Sequence, residues 1–115
     1  MRPEDRRFLQ HMRDHAREAR ELSAPIAREE FDRNRLAQHG LTRITQIIGE
    51  AAWRVSDELK ELHPEIPWKR IEGFRHKVVH EYFGVDYDTV WRVVTEHLPP
   101  LIAQLEQMLP ENPAD

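Results

Sequence analysis

The sequence predicts an all-α fold, an antiparallel bundle of four to five helices. Three observations predict the bundle. Apolar residues recur at spacings of three and four over nearly the whole chain, prolines and glycines fall between the periodic runs, and no stretch alternates as a half-buried strand would. Length limits the rest: 115 residues make a single domain, 1–115, with one core. A large enzyme with separate cofactor and substrate domains is excluded.

From about Glu4 to Leu22 a stripe of Phe8, Leu9, Met12, Ala16, Ala19 and Leu22 follows acidic residues in the first turn, and Pro25 ends the run. The second run, about Glu29 to Leu62, carries Phe31, Leu36, Leu41, Ile44, Ile47, Ile48, Ala51, Ala52, Val55, Leu59 and Leu62. It reads as the spine of the bundle, bent at His39-Gly40. Gly49 costs roughly 1 kcal/mol relative to alanine in a helix, so its use is to let another helix approach closely. His63-Pro64-Glu65-Ile66-Pro67 is a linker, and Pro67 fits the first turn of a third helix running to about Phe83 and stopping at Gly84. Asp86 and Asp88 are N-cap residues for a fourth helix through Val90, Trp91, Val94, Leu98, Leu101, Leu105, Met108 and Leu109. Pro99-Pro100 should kink or split it, and the tail after Leu109 should fray. Trp53, Trp68 and Trp91 are expected in the core or a dimer interface.

Composition narrows the chemistry. No apolar run approaches the ~20 residues of a membrane span, and the start, MRPEDRRF, lacks a signal-peptide core, so a cytoplasmic location and no membrane contact are expected. The absence of cysteine removes disulfides, thiol nucleophiles and cysteine-bound metal sites. No glycine-rich phosphate loop is present, and no cofactor is expected. The net charge of −4 repels nucleic acid overall, so any such binding needs a local basic patch. Fourteen of the 17 basic residues are arginine, the side chain shaped for bidentate contact with carboxylate or phosphate.

The chemically capable residues concentrate in Ile71–Asp86, IEGFRHKVVHEYFGVD, which holds Arg75, His80 and Tyr82. Histidine both takes and gives a proton near neutrality, and arginine is a permanent cation, so together they suffice for metal-free RNA cleavage. Five residues apart on a regular helix they point about 140° from one another. Either the helix unwinds near His80, or two copies meet across a two-fold axis so that each cleft collects residues from both chains. The second is preferred, because it also supplies two histidines as base and acid. A rival constellation, Glu72, His76 and His80, is spaced four apart as half of a metal site would be, but there is no HExxH pattern and no metal is assigned. A purely structural reading stands beside both: Arg75 paired with a carboxylate on another helix, His80 at a helix end, Tyr82 in the core. Lys69, Arg70, Arg75, His76 and Lys77 form either an RNA-binding patch or a solvated face.

Arg75-His76-Lys77-Val78-Val79-His80-Glu81-Tyr82 resembles the R-x4-H-x-Y signature of the HepT-like toxins, a branch of the HEPN superfamily of helical ribonucleases and nucleotide-binding domains. IIGEAA at 47–52, PEIPWKRIEGFRHKVVHEYFGVD at 64–86 and TVWRVV at 89–94 followed by LPPL are similar to that family in the same order. The resemblance implies a homodimer whose paired motifs line a central cleft and a metal-independent endoribonuclease toxin acting on RNA. It implies that Arg75 holds the scissile phosphate, that His80 is general acid or base, and that His76 assists. It further implies that Tyr82 accepts AMP from an MntA-type nucleotidyltransferase antitoxin. The alternative within the same resemblance is a non-catalytic helical partner that offers substrate or nucleotide to a nucleotidyltransferase.

Overall fold

A computed structural model describes residues 1–77, 79–80 and 84–110, with the side chains of Lys77, Val79, His80 and Gly84 outside the description. The domain is all-α in its architecture. Helix α1 spans Pro3–Ser23, α2 Arg28–Arg33, α3 Arg35–Arg54, α4 Asp57–Leu62, α5 Trp68–Glu72 and α6 Phe74–Lys77. After two short strands, β1 (Val79–His80) and β2 (Gly84–Val85), the chain forms α7 (Tyr87–Arg92), a π-helical turn (Val93–His97) and α8 (Leu98–Met108). The expected fraying of the tail concerns residues 111–115, which lie outside the described residues.

The core forms where α1 packs against α3 and α8, with α3 also meeting α5, α6 and α7. Leu9, Met12, Ala16 and Ala19 of α1 face Leu41, Ile48 and Ala52 of α3 and Leu98, Leu101 and Leu105 of α8, all buried. Phe31 of α2 is buried against Trp91, with ring centroids 4.8 Å apart. Among the described residues no helix is long and apolar enough to cross a membrane.

The expected single run Glu29–Leu62 is three helices. Periodicity continues across both breaks, but capping side chains interrupt the backbone: the Asn34 side chain accepts from the Ala37 amide at 3.0 Å, and Ser56 Oγ from the Leu59 amide at 3.3 Å. Asp5 reinforces the second break. Buried at the start of α1, it accepts from the Ser56 amide at 2.9 Å and from Ser56 Oγ at 2.6 Å. Conversely, α3 runs unbroken through His39-Gly40, where a bend was expected. Leu22, Leu36 and Leu62, assigned to apolar stripes, are exposed because each lies at or beside a helix end, where the stripe has no neighbour to cover it.

The third helix differs most. Pro67 is its N-cap, not its first turn; α5 stops at Glu72, Gly73 makes a turn, and α6 ends at Lys77 rather than Phe83. β-branched Val79 favours extended backbone. Val79 then pairs with Val85 and His80 with Gly84 in an antiparallel ladder where no strand was expected. Asp86 caps α7 as expected, accepting from the Thr89 amide at 3.1 Å and from Thr89 Oγ1 at 2.7 Å. The fourth run is split at Pro99-Pro100 as expected, into α7, the π turn and α8, with the prolines in the first turn of α8, where their missing amides are no loss. Proline rings clash with the carbonyl four residues back. The wider π turn before them, with the Leu98 amide donating to the Val93 carbonyl, carries the chain past that conflict.

Candidate functional site

Helix α3 seats Arg75. A Cβ placed on Gly49 would lie 2.8 Å from the Arg75 backbone nitrogen and 3.0 Å from the Ile71 carbonyl oxygen, so α5 and α6 come this close to α3 only because residue 49 has no side chain. One residue on, Glu50 Oε2 lies 3.7 Å from Arg75 Nη1. One turn further, the Trp53 ring carries the guanidinium 4.5 Å from its centroid, a cation–π stack. Trp53 is 49% exposed, so of the two places expected for it, core or dimer interface, the core is excluded. Trp68 and Trp91 conform better to expectation: Trp68 is buried, its Nε1 donating to the His63 carbonyl at 2.9 Å, and Trp91 packs on Phe31.

The Arg75 Nε is buried and, among the described residues, has no hydrogen-bond partner. Leaving a charged donor unpaired inside a protein is costly. The guanidinium is thus held by stacking and a long ion pair, with donor capacity to spare. The structural reading of Arg75 as half of an ion pair holds in part, since Glu50 is near it but beyond ordinary hydrogen-bond reach.

Arg75 and His76 line a cleft of about 620 Å³ together with residues of α1 and α3. Phe8 and His11 of α1 form one wall; Arg43, Gln46, Ile47, Glu50, Ala51 and Arg54 of α3 form the other. Three arginines against one glutamate make the cleft positive on a chain whose net charge is −4. Glu50 also faces Arg54, with Nε 3.3 Å from Oε1, so one carboxylate is shared by two guanidiniums. Such a cleft attracts anions and presents planar donors suited to phosphate.

Of the residues singled out in the sequence, Arg75 and His76 come together here. His80 lies beyond the end of α6, so the 140° separation computed for a regular helix does not apply; its side chain is outside the description. Tyr82 lies outside the described residues, as does the Lys77 side chain. Lys69 and Arg70 are exposed on α5 and line a different depression with Asp57, Lys60 and Trp68. The Glu72, His76, His80 ladder loses its premise, because Gly73 and the end of α6 at Lys77 interrupt the helix. Glu72 pairs instead with Lys60 at 3.2 Å. Among the described residues no three His, Asp or Glu side chains gather as metal ligands. Sequence reading missed His11, Arg43, Glu50, Trp53 and Arg54. The signal for most was present, since Arg43, Gln46, Glu50 and Arg54 recur at three or four and must share a helix face.

Fold and cleft together define a small helical protein with an arginine-lined cleft. Comparison with known proteins is more specific: the family model described as ribonuclease HepT-like matches residues 12–108, and the chain belongs to that family. It is 32% identical over 99 residues to a provisionally named RNase of Methanocaldococcus jannaschii, covering 86% of this chain and 91% of that one. A provisionally named RNase of Caldanaerobacter subterraneus subsp. tengcongensis is 34% identical over 104 residues, covering 90% and 93%. A protein of Thermococcus cleftensis, provisionally named ribonuclease HepT, is 38% identical over 88 residues, covering 76% and 80%. No solved structure matches the chain at a significant level.

Proposed function

We infer that this chain is a metal-independent endoribonuclease, the toxin of a toxin–antitoxin pair, acting as a homodimer. One observation carries the reading: in a chain of the HepT-like family, the arginine of R-x4-H-x-Y stands in a positive cleft with its guanidinium held by Trp53 and its Nε unpaired among the described residues. In the proposed reaction a base removes the proton of a 2′-hydroxyl, O2′ attacks the adjacent phosphorus, and the P–O5′ bond breaks. An acid protonates the departing O5′, leaving a 2′,3′-cyclic phosphate and a 5′-hydroxyl. Arg75 offsets the charge that builds on the phosphoryl oxygens, His80 serves as acid or base, and His76 orients. Lys69, Arg70 and Lys77 contribute to RNA binding outside the reacting centre.

Neutralisation is assigned to an MntA-type nucleotidyltransferase antitoxin that transfers AMP to Tyr82. Added bulk and negative charge two residues from His80 would block the cleft and repel RNA. Incubation with such an enzyme and ATP should place one AMP on the peptide containing Tyr82 and abolish cleavage; AMP elsewhere, or full activity after modification, rejects this.

A second reading is favoured by Glu50, which already stands beside Arg75: a non-catalytic partner that presents substrate or nucleotide to a nucleotidyltransferase. Purified chain incubated with RNA in chelator separates the two. Cleavage lost in both Arg75→Ala and His80→Ala supports the nuclease. Equal background in all three proteins supports the non-catalytic partner.

A further inference from the structure

The cleft extends well beyond the motif. Arg43 lies eleven residues before Arg54 on α3, a separation of about 16 Å at the helical rise of 1.5 Å per residue, and both line the same cleft as Arg75. Arg43 is exposed and, among the described residues, has neither an ion pair nor a hydrogen bond. Arg54 pairs with half-exposed Glu50, a pairing that solvent weakens, and lies over the Trp53 ring 6.0 Å from its centroid. His11 faces this row from α1. Arg75 meets α3 at Gly49, Glu50 and Trp53, between the levels of Arg43 and Arg54, so the three cations line one cleft.

We propose that Arg43 and Arg54 are backbone-phosphate subsites of a single-stranded RNA track, which holds a few nucleotides of substrate along α3 on either side of Arg75. This rests on the ribonuclease reading for the identity of the strand. In the track, a phosphate takes the place of Glu50 on Arg54, while Arg43 holds a phosphate more than one nucleotide further along the strand. Neither arginine touches the reacting atoms, so each contributes to binding and not to the chemical step. Discrimination between bases is not expected from them, because phosphate contacts carry no sequence information.

The test uses the full chain and a fluorescein-labelled single-stranded RNA whose 2′-hydroxyls are all methylated, so that binding is read without cleavage. Dissociation constants are measured across a salt series for the parent chain, Arg43→Ala, Arg54→Ala and Arg43→Lys, with thermal melts to verify folding. Each alanine variant is expected to weaken binding about threefold at low salt and to flatten the log–log salt dependence by about 0.7, the value for one phosphate on a single strand. Arg43→Lys should restore most of both. Unchanged affinity and slope in both alanine variants overturn the track, as does failure of the parent chain to bind. Cleavage of unmodified RNA is scored separately. If it is present while the variants bind normally, the track falls and the nuclease stands; if it is absent while the slopes change, the track stands and the nuclease falls.

Discussion

Two glycines on α3 set opposite expectations for one substitution. At Gly40 an added methyl meets nothing within 4 Å, so Gly40→Ala should stabilise by roughly 0.5–1 kcal/mol through helix propensity alone. At Gly49 the same methyl meets the Arg75 nitrogen at 2.8 Å, backbone that cannot give without moving α6. Overpacking of roughly 1–3 kcal/mol outweighs the propensity gain of about 1. Gly49→Ala should therefore lower the melting temperature while Gly40→Ala raises it, and equal shifts of one sign would contradict the packing described. Gly49 was readable from sequence as a place of close approach, because a glycine amid Ile47, Ile48, Ala51 and Ala52 has little other use. Trp53 was not. Whether a tryptophan beside an apolar stripe is covered depends on what crosses it, and here an arginine from another helix covers one face.

The helices were legible as periodic runs, and their ends much less so. The amphipathic stripe of 29–62 continues through Asn34 and Ser56, so periodicity alone merges three helices into one; the capping residues were the signal that went unused. Asp5 joins α1 to the second of these breaks, a contact between residues 51 apart that no local pattern announces. Removing its carboxylate in Asp5→Ala strands the Ser56 amide and hydroxyl, at a cost of roughly 1–3 kcal/mol. Ser56→Ala should cost about 1 kcal/mol through the cap. Because both changes remove the same contact, the double variant should lose clearly less than the sum, measured by urea denaturation. Strict additivity would show that Asp5 acts elsewhere. The last run was more legible: paired prolines read as a break, and the chain divides there into the π turn and α8, whose apolar face reaches Leu105.

For the molecule as a whole, the motif gave the arginine of the cleft, but the wall opposite it comes from the packing of α1 on α3, which brings His11 within range of residues far along the chain. The proposed dimer makes a prediction at this scale. If each site takes Arg75 from one protomer and His80 from the other, mixing Arg75→Ala with His80→Ala chains rebuilds one intact site per mixed dimer, about a quarter of parental activity after random exchange. No recovery, with sedimentation showing that dimers form and exchange, would place both groups of a site within one chain.

The end of α6 at Lys77 puts a joint in the middle of the motif. Upstream of it, Arg75 travels with the scaffold of α3; downstream, His80 belongs to the backbone ladder with Gly84 and so to the lead-in to α7. Screens for disabled variants should consequently return two families, one clustering around Gly49 and Trp53 and one around the ladder, and suppressors of the first should not repair the second.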